Sequence, residues 1–370
     1  MLLSNPATDD QRPLREAHAL AESGIPVTIL AWDREGATKV DTRFFDGLVV
    51  KRMRIRAGHG TPMNTVPRLF VFYVWCLAHL IGREVNAIHC HDVDTLPVGF
   101  VAHALKLGRV KLVYDMHDLP EVFLHFFPLV SVTQKITFAF CRRFVDMAVI
   151  VADSSIGYLT HRGFAASKMT VVTNTPSVRE ASFRVRRNRE LRIFYYGWLG
   201  EERGVDTLLR AAQTLPNVIL TLAGRGNLEG QIRRLQEDLQ NIRYLGWVDT
   251  KQIDSEARNS DLLPTLYEPR NMNAKLAIPG KLMTSMSLSM PVLVPAGTFQ
   301  ATVVSRFNCG LVVDVKNPSE ALGAIGRLAN DLELYNKLGK AGYEAFQSNF
   351  SWEVMASRLV DSYTSLLGTV

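Results

Sequence analysis

VNAIHCHDVDTLPVGFVAHALKLGRVKLVYDMHDLPEVF, residues 85–123, holds two short apolar runs that each end on histidine flanked by acid. The first run ends in His89, His91, Asp92 and Asp94, the second in Asp115, His117 and Asp118. Between them, FVAHALKLG is long enough for one short helix. Strand, helix and strand in that order make a parallel pair. Both strands then finish at the same edge, where open parallel sheets bind ligands. The stretch predicts two histidines and several carboxylates at one sheet edge, an enzyme-like constellation.

The same alternation extends in both directions. Upstream, MLLSN reads as the end of a first strand, LREAHALAESG (14–24) as a helix stopped by Gly24, and IPVTILAWD and GLVVKRMRI as strands. Downstream, SVTQKITFAFCRRFVDMAV is a helix running into the strand MAVIVAD, SSIGYLTHRG is a serine-capped helix, and MTVVTNTPS closes the half. The series then restarts with LRIFYYGWLG, GVDTLLRAAQTL, NVILTLAGRG, LEGQIRRLQEDL, IRYLGWV, TKQIDSEARNS, the strand DLLPTLY, PGKLMTSMSLS, MPVLVPAG and CGLVVDV. A chain of 370 residues exceeds one ordinary core. The expected fold class is α/β, with two doubly wound parallel-sheet domains and a ligand in the cleft.

Composition narrows the function classes. A hydrophobic content of 47% with 21% charged residues belongs to a soluble globular protein. Cys76, Cys90, Cys141 and Cys309 are scattered without metal-type spacing, so free thiols in a reducing compartment are expected and a cysteine-based metal site is excluded. MLLSN is too short for a signal sequence, and no apolar stretch is long enough to span a bilayer. The apolar stretch 66–82, with Arg68 and His79, reads as a largely buried helix, with a lipid-touching surface helix as the alternative. The net charge of +6 is uneven: REASFRVRRNRELR (179–192) holds six arginines in fourteen residues. It reads as an exposed connector, either merely solvated or attracted to an anionic membrane or phosphorylated acceptor. Aromatics are not interleaved with these arginines, so nucleic acid is not an expected partner.

Three loops of the second half carry cations at strand-to-helix junctions. In YYGWLGEERGVDTLL, a strand ends at Tyr196, a loop with Gly197 and Arg203 follows, and a helix opens near Gly204. LAGRGNLEG repeats the pattern with Gly224, Arg225 and Gly226. Pro279-Gly280 precedes a helix at Lys281. Helix N-termini favour anions, and together these loops point to a diphosphate.

Taken end to end, the chain resembles the retaining GT-B glycosyltransferases of family four. HCHDVDTLPVG and YDMHDLPE are similar to the family's histidine segments, and VVTNTP matches its strand ending in asparagine, at Asn174. GWLGEERGVDTLLRA, LAGRG and PGKLMTSMSLSMPVLV resemble its donor-binding loops and helix. The resemblance implies two Rossmann-like domains. The acceptor-side domain would span 1–180, with a terminal helix (350–370) crossing back to it, and the nucleotide-sugar domain 190–349.

It also implies roles. Arg203 and Lys281 would neutralise the donor diphosphate, helped by amides near Pro279 and Gly280. Gly197, Gly224 and Arg225 would lie along the donor, with Gly224 and Arg225 near the nucleoside. Thr284 would take the place of a ribose-binding glutamate. His117 would face the transferred sugar or acceptor, with His91, Asp92 and Asn174 on the acceptor side. His89 is expected on the opposite strand face from His91, in a structural role. Asp92-Val93-Asp94 has metal-type spacing, but the resemblance implies metal-independent catalysis without a cofactor.

The departures are Trp198 for the family's loop arginine, Arg203 for its lysine, Leu276 and Thr284 for its paired glutamates, and Ser289-Met290 for a glycine. The expectation is a cytoplasmic transferase using a UDP- or GDP-sugar. Its acceptor would be a saccharide or lipid-linked saccharide, met at the inner membrane face. A nucleotide-sugar epimerase or a non-catalytic scaffold of the same fold are the alternatives.

Overall fold

The computed structural model describes residues 1–8, 11–36, 38–56, 62–117 and 138–368. Asp10, Asp118 and most of residues 124–144, including SVTQKIT (131–137) at the start of the helix read there, lie outside the described residues. The chain divides into two compact units, Met1–Thr173 with Met355–Val370, and Asn174–Val354.

The first unit has an eight-stranded sheet. Its elements are β1 (Leu2–Leu3), α1 (Gln11–Glu22), β2 (Val27–Asp33), β3 (Asp41–Phe45), β4 (Leu48–Arg54), α2 (Pro62–Ile81), β5 (Ala87–His91), α3 (Asp92–Leu105), β6 (Lys111–Met116), β7 (Met147–Ile150), α4 (Ser154–Thr160) and β8 (Met169–Val171). The strand order is β3-β4-β2-β1-β5-β6-β7-β8, with only β3 antiparallel. β5 and β6 pair as the opening stretch predicts, with His91 opposite Asp115. Gly99 marks where α3 meets the sheet: a Cβ there would stand 2.1 Å from Cys90 Sγ. Among helices with a described apolar face, α2 departs from expectation. Among its described side chains, only the stripe Phe72, Cys76 and Leu80 is buried, whereas Phe70, Val71, Val74 and Ile81 are exposed, Phe70 by 67%. The i, i+4 stripe packs the helix, Leu69, Tyr73, Trp75 and Leu77 flank it half-buried, and the exposed four lie on the outer side.

The second unit runs β9 (Leu191–Trp198), α5 (Val205–Thr214), β10 (Val218–Arg225), α6 (Glu229–Asp238), β11 (Ile242–Tyr244), α7 (Thr250–Arg258), α8 (Met272–Leu276), α9 (Gly280–Ser287), β12 (Val292–Pro295), α10 (Phe299–Phe307), β13 (Gly310–Val313), α11 (Pro318–Asn330), α12 (Leu332–Ala345) and the start of α13 (Trp352–Leu367). β11-β10-β9 and β12-β13 form two parallel sheets. DLLPTLY, read as a strand, instead makes one isolated bridge, Leu262 to Ile193, while Thr265 N donates to Leu293 O at 3.2 Å. Pro264 at its centre has no N–H to offer a ladder.

The arginine-rich segment is an exposed connector only in part: Arg179, Arg187, Arg189 and Arg192 are exposed, but its centre is anchored. Arg186 is buried, and its guanidinium donates to Leu328 O (2.6 Å) and Ala329 O (3.2 Å), in the last turn of α11. Arg184 donates to Arg258 O and Ser260 O, at the end of α7. A helix C-terminus leaves carbonyls unpaired and carries partial negative charge, so two arginines satisfy two helix ends. Asn336 brackets the Arg186 backbone, accepting from its N–H at 2.8 Å and donating to its carbonyl at 2.9 Å. Ser289 adopts φ +53°, where a glycine would be unstrained; its hydroxyl compensates by accepting from Arg184 N (2.7 Å) and donating to Arg184 O (2.9 Å).

Candidate active site

Two groups of side chains stand at the carboxyl ends of strands, one in each unit. In the first unit, α1 contributes Arg12 and Glu16, β5 His89 and His91, α3 Asp92, β6 Asp115, the following turn His117, and α13 Tyr363. Arg12 lies between the two buried acids, with Nη2 2.9 Å from Asp115 Oδ1 and Nε 3.0 Å from Glu16 Oε1; it also donates to Val172 O. Asp115 Oδ2 accepts from His117 Nε2 at 2.9 Å and lies 3.0 Å from His91 Nδ1. His89 Nδ1 is 2.7 Å from Tyr363 Oη.

His89 and His91 are not on opposite faces. Their rings stack at 4.4 Å with 15° between planes, because residues two apart on a strand share a face. His91 is buried and sits behind His117, 3.1 Å from its Nε2, rather than at an open rim. Asp92 is at the rim, with its side chain about one-third exposed at 32%. It adopts φ +62°, costly for a residue with a Cβ, and accepts from His117 N at 3.2 Å.

Charge here is set by burial and by two cations. Burial pushes Asp115 up, but Arg12 and His117 together hold it well below the ordinary carboxylate range. Burial lowers His117, yet Asp115 and then Asp92 raise it to about 10. Burial lifts Glu16 to about 8 against the pull of Arg12, and lifts Asp92 to about 7. His89 is lowered by burial, and His91 falls well below 6.5 through burial and its neighbour His89. The ligand atoms of Glu16, His89, His91 and Asp115 lie within 4.8 Å of one another, close enough for a metal ion. Arg12 already bridges both carboxylates, so a cation there would have to displace it from a buried pairing.

In the second unit, β9 and β10 end side by side, with Gly197 opposite Gly224. Both have positive φ (+129° and +128°), and a Cβ on Gly224 would stand 1.9 Å from Gly197 O. Only glycine permits this approach. Pro279 caps α9, leaving Gly280 and Lys281 in its first turn. Lys281 Nζ lies 4.0 Å from the Tyr195 ring centre and 4.5 Å from that of Tyr196. Burial, then repulsion from Arg203, pushes Lys281 down to about 7. Arg203 is exposed over Tyr267 at 5.9 Å, and Gly204 (φ +71°) follows it into α5. Arg225 lies 5.7 Å from the ring centre of Trp247, which is 73% exposed. Trp198 is also exposed, and Thr284 is half-buried on α9.

The structure thus brings His91, Asp92 and His117 together in one unit. In the other, it places Gly197, Gly224 and Arg225 on paired strand ends and Arg203 within electrostatic reach of Lys281 beside Pro279 and Gly280. Asn174 is exposed as the first residue of the second unit. Sequence reasoning missed Arg12, Glu16 and Tyr363 as members of the histidine cluster. For the first two, the i, i+4 spacing of opposite charges on one helix was the available signal.

A family model described as "Glycosyltransferase Family 4" matches residues 14–175, and one described as "Glycosyl transferases group 1" matches 177–345. The chain is 24% identical over 180 residues to the lipopolysaccharide core biosynthesis glycosyltransferase LpsE of Rhizobium meliloti (strain 1021), covering 48% of this chain and 49% of that protein. It spans about half the length of the curated relatives it matches. Its fold is similar to sucrose-phosphate synthase from Thermosynechococcus elongatus (TM-score 0.72, 18% identity, 99% and 98% of the two chains). It is also similar to Anabaena HepE in complex with UDP and glucose (TM-score 0.69, 15% identity, 98% and 99%). These neighbours have the GT-B arrangement of two Rossmann-like domains.

Proposed function

Because the chain belongs to the group 1, family 4 glycosyltransferases, we propose that it moves a sugar from a UDP- or GDP-sugar to a hydroxyl of a saccharide or lipid-linked saccharide, with retention and without a metal. The observation that carries this reading is Lys281. It heads a helix, is half-buried against two tyrosine rings, and is repelled by Arg203. A cation held in that way lacks an anion, and a diphosphate supplies one. Arg203, Lys281 and the amides of Gly280 and Lys281 neutralise it, while Gly197 and Gly224 let the donor approach the backbone. Arg225 and Trp247 offer a planar surface to the base, and Thr284 a hydroxyl to the ribose.

In the reaction, the bond from the sugar C1 to the phosphate oxygen breaks, with its electrons going to the diphosphate. The acceptor oxygen forms the new bond to C1 on the same face, and its proton passes to the departing phosphate oxygen. The charge to be stabilised is that of the diphosphate, so catalysis is mainly electrostatic. His117, beside Asp92, meets the sugar or acceptor. The relative named for lipopolysaccharide core biosynthesis supports a lipid-linked acceptor. The exposed apolar face of α2 supports attachment to a membrane surface at the cytoplasmic side.

The test is release of UDP or GDP from a panel of nucleotide sugars. Lys281→Ala and Arg203→Ala are each expected to lower it at least about a hundredfold, in line with loss of a charge-stabilising group. Turnover unchanged in both variants refutes the reading. Trp198, Leu276 and Thr284, standing where the family has arginine and glutamates, favour one second reading, a non-catalytic scaffold; it predicts no binding of either nucleotide at millimolar concentration.

A further inference from the structure

The inner part of the histidine cluster has no assigned task. Asp115 is fully buried, yet it is a junction: Arg12 donates to both carboxylate oxygens from behind, Nη2 to Oδ1 at 2.9 Å and Nε to Oδ2 at 3.3 Å, and Oδ2 also accepts the Nε2–H of His117 at 2.9 Å. The opposite nitrogen of that ring, Nδ1, is 3.6 Å from Asp92 Oδ2, at the partly exposed end of the cluster.

We propose that Asp115, fixed by Arg12, is the positioning residue for His117: it takes the Nε2–H, so that the ring meets substrate as a cation presenting Nδ1–H rather than as a proton-accepting base. This rests on the proposed transferase function for its catalytic meaning, though not for its geometry. The arrangement leaves few alternatives. His91 cannot serve as the cation, because burial and the stacked His89 keep it neutral. Arg12 cannot reach substrate, since it is buried with its donors directed at Asp115, Glu16 and Val172 O. The charged and titratable groups facing His117 are Arg12 and Glu16 from α1, His91 from β5, Asp92 and Asp94 from α3, and Asp115 from β6. The carboxylates outweigh Arg12, and the ring is raised from 6.5 to about 10. A cation at this point can hold a sugar hydroxyl or the negative charge that develops on the departing phosphate, and it cannot remove the acceptor proton. That agrees with proton transfer to the phosphate oxygen.

The experiment is imidazole NMR on the full-length, 15N-histidine-labelled protein, with His117 assigned by its loss in His117→Gln. Wild-type His117 is expected to be doubly protonated at neutral pH, with a midpoint of about 10. In Asp115→Asn the midpoint should fall toward 6.5, and Asp115→Glu should restore most of the shift. A wild-type midpoint at or below 6.5, or one unmoved in Asp115→Asn, overturns the proposal; the wild-type value alone decides if the asparagine variant does not fold. Nucleotide-sugar turnover gives the second readout. Asp115→Asn should retain most activity at about pH 6 and lose about 30-fold at about pH 8, the fraction of cation expected for an ordinary histidine. An equal loss at both pH values marks a merely structural role and overturns the proposal. Wild-type protein that titrates as expected but turns over no nucleotide sugar supports the proton arrangement and refutes the function.

Discussion

Binding of a nucleoside diphosphate is expected to draw a proton onto Lys281. In the empty site this amine titrates at about 7, because burial and Arg203 both disfavour its charge. A diphosphate beside it reverses both effects and returns the bound-state value toward 10.5 or above. The sign follows from linkage: a ligand that raises a group's pKa binds best where the group is already protonated, and weakens as pH rises through the empty-site value. At about pH 8 roughly nine-tenths of empty-site lysine is neutral, so binding takes up about 0.9 proton. Between about pH 7 and pH 9 the affinity should fall about 50-fold, or about 2.3 kcal/mol. Isothermal calorimetry with UDP and GDP, in buffers of different ionisation enthalpy, reads the proton count directly. Lys281→Met should abolish the uptake and flatten the pH dependence while weakening binding at low pH. Zero uptake at about pH 8, or an affinity flat across this range in the wild type, would refute the reasoning.

Trp247→Ala should weaken nucleotide binding by about 1–3 kcal/mol, the worth of stacking one base, and leave inorganic pyrophosphate binding unchanged by calorimetry. Gly224→Ala should destabilise the second unit by at least about 1–3 kcal/mol in denaturant unfolding, since its Cβ would meet Gly197 O. Gly230→Ala in α6, with open space around it, should be neutral or stabilising by up to about 1 kcal/mol. Arg186→Ala should cost about 2–4 kcal/mol of stability by stranding the carbonyls of Leu328 and Ala329, with no change in flotation on anionic vesicles.

The architecture was readable because its signals are local. The apolar runs at 87–91 and 111–116 are too short for helices, and the spacer between them is the right length for one. The glycine turns at 197 and 224 announced themselves by composition, and their positive φ values explain why glycine stands there. What stayed hidden depends on distant partners. Arg12 meets Asp115 across 103 positions, and Arg186 caps a helix 142 positions away, so an arginine-rich stretch that looked like a solvated connector is largely structural at its centre. The mistaken facing of His89 had a different origin: a period of two puts alternate residues on one face, and the structure shows the two rings stacked there. Helix α2 shows the limit of hydropathy, since a buried apolar helix and one with an exposed apolar face have the same average composition.

A crystal structure with bound UDP or GDP tests the central claim most directly. The diphosphate is expected at the N-terminus of α9, in contact with Lys281 Nζ and the Arg203 guanidinium, and the base against Trp247. A diphosphate bound away from Lys281 and Arg203, or no nucleotide in the second unit at saturating concentration, would contradict it.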